Sequence, residues 1–257
     1  MVNSEKLFPV RRPMNAEGAL VRRAVRPEAT WRLICLPHAG ASSGTFSHWS
    51  TFLTDAELIA VQLPGRGDRL REPLPDDFGA VVNEVHEALS PYSDLPLVVF
   101  GHCGGAVLAL EVVRRLTAGD GAPPTALVVS GQAVPTAIPA EEQLHRLSDD
   151  ELAGQLRRLG GLPLMLDNPQ LLRLVLPVVR ADMRLTETIV GVAQPVCTPI
   201  LAVRGTADVR VSAEELANWR TMTTGAFSVR EFPGGHFYFE DDAESLVQEI
   251  AEARPVA

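Results

Sequence analysis

Lysine, cysteine and aromatic side chains are all scarce in this chain, and each scarcity removes a class of explanation. Lys6 is the only lysine, so arginine carries nearly all the positive charge. Acidic residues outnumber basic ones, 32 to 23, for a net charge of −9. That balance argues against a general nucleic-acid-binding surface. The three cysteines, Cys35, Cys103 and Cys197, cannot all pair and show no metal-ligand spacing. Cys35 and Cys197 lie in or beside apolar segments and read as inert core thiols, which singles out Cys103. A free thiol is simplest to keep in a reducing compartment. No apolar run approaches the length of a membrane span. Residues 1–6, Met-Val-Asn-Ser-Glu-Lys, lack the apolar core of a secretory signal. The expectation is a cytoplasmic, monomeric protein with neither a nucleic-acid nor a membrane partner.

What is present fits one α/β domain: 257 residues, 46% hydrophobic and 21% charged, enough to enclose a substantial core. Residues 1–30 show no clear period and read as an arm crossing the surface. Arg11, Arg12, Arg22, Arg23, Arg26 and Arg32 cluster there, as a solvated arm or as a patch for an acidic partner. From residue 31 to 257, short apolar runs alternate with amphipathic stretches. Strands are expected over 32–36, 58–63, 96–100, 126–130, 199–203 and 227–232. Helices are expected over 78–89, 105–116, 213–222 and 242–253. Most of the strand runs are continuous rather than alternating, as in a mostly parallel sheet covered on both faces by helices. An insertion over about 135–195 breaks the alternation. It is largely helical in pattern, is interrupted at Gly160-Gly161-Leu162-Pro163, and reads as a lid over the active-site end.

Gly101-His102-Cys103-Gly104-Gly105 follows the apolar run Leu97-Val98-Val99-Phe100 and precedes a helical stretch. This is the G-x-nucleophile-x-G elbow of an α/β-hydrolase, with cysteine where serine usually stands. A sharp strand-to-helix turn exposes the middle side chain, and the helix N-terminus behind it favours thiolate. A thiol nucleophile needs a base, and the base needs an orienting acid, in the chain order nucleophile, acid, histidine. Of six histidines only His236 follows the last strand, in Pro233-Gly234-Gly235-His236-Phe237. Asp208 stands after the penultimate strand, in Arg204-Gly205-Thr206-Ala207-Asp208, and is the expected acid. Its rivals are Asp182 in the insertion and Glu240, Asp241 and Asp242, which sit too close to His236 and suit a helix start. Two backbone N–H groups must face the developing oxyanion. Gly104 supplies one, and the small-residue loop Pro37-His38-Ala39-Gly40-Ala41 supplies the other through Ala39. His38 reads as a loop-positioning or surface residue, and His102 as structural.

Five segments in order carry a resemblance: residues 36–41, Gln62-Leu63-Pro64-Gly65-Arg66-Gly67-Asp68-Arg69, the 101–105 elbow, Arg180-Ala181-Asp182-Met183 and Gly234-Gly235-His236-Phe237. From about Trp31 onward the sequence resembles the stand-alone type II thioesterases of polyketide and nonribosomal peptide synthesis. The resemblance implies an α/β-hydrolase with a helical lid, acting on acyl or aminoacyl thioesters borne by the phosphopantetheine arm of a carrier protein. It implies no metal or redox cofactor, the phosphopantetheine arriving on the partner. It assigns Cys103, Asp208, His236, Ala39 and Gly104 the same roles. The sequence departs from the usual family pattern at Cys103-Gly104 in the elbow, at Ala41 in the loop, and at Thr188, where an aromatic is frequent. Cysteine attack exchanges one thioester for another and keeps the acyl group activated, so transfer or cyclisation is an alternative to hydrolysis.

Overall fold

Apolar runs of Val, Leu and Ile form the centre of one sheet. The computed structural model describes residues 18–119, 121–135, 138–160, 168–189 and 194–254. The strands are β1 (Leu20–Ala24), β2 (Trp31–Leu36), β3 (Ala56–Val61), β4 (Leu97–His102), β5 (Ala126–Ser130), β6 (Ile200–Gly205) and β7 (Phe227–Phe232). They pair in the order β1-β3-β2-β4-β5-β6-β7. Only β1 runs antiparallel to its neighbour; the other pairs are parallel. Strands β2 to β5 are buried at every position, so their sequences carry no polar alternation.

Helices cover both faces. On one, α1 (Phe78–Leu89), α2 (Gly104–Ala118) and the segment beginning with α5 (Ala213–Ala217) share a core that includes Val82, Val113 and Trp219. On the other, α6 (Ala243–Glu252) packs Leu246 and Ile250 with Trp49 and Phe100. The insertion contributes α3 (Asp149–Leu159) and α4 (Pro169–Glu187), joined through Leu152, Leu156, Leu176, Val179 and Met183. Ala39, just past β2, packs into the same cluster. Helix α3 ends at Gly160, whose φ of 78° closes it in the left-handed conformation. Gly161, Leu162 and Pro163 lie outside the described residues.

From β2 the chain moves to β3 on one side, then crosses to β4 on the other. The loops leaving the carboxyl ends of β2 and β4 therefore diverge, and the crevice between them is where an open α/β sheet takes its ligand. Those loops carry Ala39 and Cys103.

Several expectations change. Part of the supposed arm is a strand: Leu20–Ala24 pairs with β3 at the sheet edge. Its arginines are not a free patch, since Arg22 and Arg32 both pair with Glu57, Arg32 also pairs with Asp94, and Arg23 donates to Ser43 Oγ. Arg11 and Arg12 lie outside the described residues. The expected helix over 213–222 is α-helical only to Ala217 and continues as a 3₁₀ segment, Asn218–Met222. Asp242 caps α6 by accepting from Ser245 N–H rather than joining it. Cys35 is fully buried, but Cys197 is exposed and is not a core thiol. Among the described residues no helix is long and apolar enough to cross a membrane.

Candidate active site

Strand β4 ends at His102 and α2 begins at Gly104, leaving Cys103 alone to turn the chain. Its φ is 52° and ψ −127°, and among the described residues it is the one non-glycine residue with positive φ. Such strain persists only where its surroundings enforce it. Here Cys103 N–H donates to Ser130 O at 2.8 Å, and Cys103 O accepts from Ala106 N–H at 2.9 Å. A Cβ on Gly101 would overlap the Gly105 carbonyl, and one on Gly105 would overlap the Leu36 carbonyl, so both positions need glycine.

Asp208 follows β6 and His236 follows β7, so adjacent parallel strands deliver them to the same end of the sheet. His236 Nδ1 donates to Asp208 Oδ2 at 2.9 Å, and both side chains are almost wholly buried. Asp208 Oδ1 accepts from Arg210 N–H at 2.8 Å. Burial alone would raise the Asp208 carboxyl, but the His236 imidazole and the N–H groups of Arg210 and Val211 outweigh it and lower it. Burial would likewise lower His236, yet the Asp208 carboxylate and the Cys103 sulfur raise it to about 9. His236 Nε2 is buried and has no hydrogen-bond partner among the described residues. For Cys103, burial pushes the thiol up. The Arg210 guanidinium, His236 and the Gly104 N–H overcome this and bring the thiol down to about 7. Each group thus favours the charged form of the other, the sulfur raising the imidazole and the imidazole lowering the thiol.

Cys103, Asp208 and His236 thus all stand past the carboxyl ends of parallel strands β4, β6 and β7, and His236 is hydrogen-bonded to Asp208. Ala39 and Gly104 line a common cavity of about 10 Å³, with Asp182 and Thr186 on its other walls. Thr186 also lines a larger cavity of about 770 Å³, walled by Val107, Gln132, Leu144, Leu159 and Arg210 among others. Its volume is in the range of small-molecule sites.

Sequence reasoning overlooked Arg210, although it lies two residues past Asp208 in the same loop. It also overlooked a buried chain behind the elbow. Ser130 Oγ lies 3.0 Å from His102 Nδ1 and 2.8 Å from Tyr238 OH. His102 is fully buried and stands 4.7 Å from His236 between ring centroids. Burial first, then the charge of His236, keeps His102 neutral far below the usual imidazole range. His38 is buried, edge-on to His102 and Phe237, and burial lowers it to about 3. Asp182, the rival acid, is buried against Arg66 instead. Among the described residues no cluster of three or more His, Cys, Asp or Glu could hold a metal ion.

Comparison with known proteins bears on the family and the fold. A family model described as a thioesterase domain matches residues 31–253. The chain is 36% identical over 247 residues to thioesterase PikA5 of Streptomyces venezuelae, covering 94% of this chain and 88% of that one. It is 31% identical to the gramicidin S biosynthesis protein GrsT of Aneurinibacillus migulanus, covering 89% and 90%. The structure of the type II thioesterase BorB from the borrelidin biosynthetic cluster superposes with a TM-score of 0.81 at 32% identity, over 93% of this chain and 99% of that one. By sequence and by fold, this chain belongs to the thioesterase domain family, among the type II thioesterases of polyketide and nonribosomal peptide biosynthesis.

Proposed function

We propose that the protein cleaves acyl or aminoacyl thioesters carried on the phosphopantetheine arm of an acyl or peptidyl carrier protein, with Cys103 as nucleophile, His236 as acid and base, and Asp208 as the acid that orients it. The observation that carries the reading is the strained Cys103 at the strand-to-helix turn together with the buried His236–Asp208 hydrogen bond at the same end of the sheet. The thiolate adds to the thioester carbonyl carbon, forming the new C–S bond. The N–H groups of Ala39 and Gly104 hold the resulting oxyanion. Collapse breaks the bond to the pantetheine sulfur, which leaves with the proton from His236 Nε2. In the acyl-enzyme Cys103 no longer bears charge, so one influence that holds His236 protonated is gone. The neutral imidazole then takes a proton from water, whose oxygen adds to the acyl carbon; collapse breaks the bond to Cys103 Sγ, releasing the carboxylic acid and restoring the thiolate beside the protonated His236. No metal or redox group enters this scheme.

Cysteine at the elbow favours a second reading, transfer or cyclisation. The acyl-Cys103 bond is itself a thioester, so the acyl group stays activated toward an amine, a second thiol or a carbon nucleophile. Incubating an acyl-carrier thioester with and without a second holo-carrier or an amine separates the two: free acid marks hydrolysis, and acyl mass on the acceptor marks transfer. Side-by-side assays tell a thioesterase from a general esterase. Acyl-pantetheine turnover well above that of the matching oxyester is expected, and the reverse order overturns the proposal.

A further inference from the structure

Asp182 lies on α4 of the insertion, yet its partners lie outside the insertion. Arg66, in the loop after β3, holds it with two bonds, Nη1 to Oδ2 at 2.5 Å and Nη2 to Oδ1 at 2.6 Å. Both side chains are only 6% exposed. The same Oδ2 accepts from Gly40 N–H at 2.8 Å. Arg66 Nη1 donates in turn to Ala41 O at 3.2 Å. The ion pair thus grips one turn at two successive residues.

That turn spans His38 to Ala41 and is closed by Ala41 N–H donating to His38 O at 3.1 Å. Gly40 has φ of 81°, as the third position of a type II turn demands, and a Cβ there would overlap Val179 of α4. His38 C=O and Ala39 N–H belong to one trans peptide plane and point in opposite directions. Tying the carbonyl into the turn therefore aims the Ala39 N–H away from it. Ala39, Gly104 and Asp182 all line the same small cavity. A buried ion pair is weak evidence for stability, because apolar residues of similar volume often serve as well. Its value here lies in what it orients.

We propose that Asp182, held by Arg66, is a positioning residue for the thioester reaction: from α4 it fixes the 38–41 turn so that Ala39 N–H meets the developing oxyanion, and α4 and the oxyanion loop act as one piece. This rests on the reading of Cys103 and Ala39 given above.

The test pairs two reactions of Cys103. Alkylation by iodoacetamide needs the thiolate but no oxyanion donors, whereas acylation by an acyl-pantetheine thioester needs both. The variants are Asp182→Asn, which leaves an acceptor for Gly40, and the apolar double variant Arg66→Met/Asp182→Leu, which leaves no charge unpaired. In the folded double variant, alkylation should stay within about twofold of the parent. Single-turnover acylation should fall on the order of 10²-fold with little change in the substrate concentration at half-maximal rate. Asp182→Asn should fall between the two. Acylation within about threefold of the parent overturns the proposal, as does a parallel loss of both reactions. Failure of both variants to fold makes the pair a structural anchor only and overturns it too. Undiminished turnover in Cys103→Ala, by contrast, removes the underlying reading rather than this inference alone.

Discussion

Arg210 N–H donates to Asp208 Oδ1 at 2.8 Å while Asp208 Oδ2 accepts from His236 at 2.9 Å. One short loop after β6 therefore orients the base and brings a guanidinium to bear on the sulfur. Of the influences that oppose burial at Cys103, the Arg210 charge is the largest, ahead of His236 and the Gly104 N–H. Thiolate is stabilised by the acid loop as well as by the base.

Alkylation of Cys103 reads this directly, in a Cys197→Ser background that removes the exposed thiol. The rate should rise with pH through a midpoint of about 7, as the thiol ionises. Arg210→Ala removes the favourable cation, so the midpoint should move upward by about one pH unit. A midpoint that stays in place contradicts the role given to Arg210.

Asp208→Asn removes the carboxylate that holds His236 protonated and, through it, supports the thiolate. The imidazole limb should move down from about 9 and the thiol limb should move up from about 7. The pH window of the ion pair narrows from both sides. Turnover at neutral pH should fall about 10²-fold, with substrate affinity little changed. A pH–rate profile of unchanged width contradicts the assignment of Asp208.

Replacing the sulfur tests the cost of cysteine chemistry. In Cys103→Ser the acyl-enzyme becomes an oxyester, which a thiol displaces unfavourably. With added pantetheine thiol as acceptor, the ratio of transfer to hydrolysis should drop relative to the parent enzyme. An unchanged ratio means that the acyl group does not reside on residue 103.

Stability should depend on acid through His38 and His102. Both are buried and neutral, their folded values lying below the ordinary 6.5, with His38 at about 3. Below 6.5 the unfolded chain binds protons that the folded chain refuses, so stability falls as pH drops. Each imidazole contributes about 1.4 kcal/mol per pH unit in that range. His236 works in the opposite sense, since its raised value of about 9 stabilises most below 6.5. Between pH 7.5 and 5 that gain is smaller than the combined loss. The urea midpoint should therefore be lower at pH 5 than at pH 7.5, and an equal or higher midpoint contradicts neutral burial of the two rings.

The placement of Cys103, Asp208 and His236 was legible because each follows the carboxyl end of a strand, and the runs before Cys103 and Asp208 are continuously apolar. Glycines flank Cys103 and precede His236, where the backbone must turn tightly, and that too is written in residue types. Strand β1 was not legible: Leu-Val-Arg-Arg-Ala reads as polar, since its arginines face Glu57 and Ser43 at an exposed edge. Cys197 was misread because it neighbours β6, although it stands in the approach to that strand and outside the core. Arg66 and Asp182 were each noticed within a motif, but their pairing spans 116 residues and follows no local period. Nor does any period announce that the Arg210 charge acts on the Cys103 thiol.

Intact-protein mass spectrometry of a rapidly quenched reaction with an acyl-carrier thioester tests the nucleophile most directly. The account predicts one added acyl mass, mapped by peptide digestion to Cys103 and absent, together with turnover, in Cys103→Ala. Full turnover by Cys103→Ala, with no acyl mass on the parent enzyme at any quench time, would contradict it.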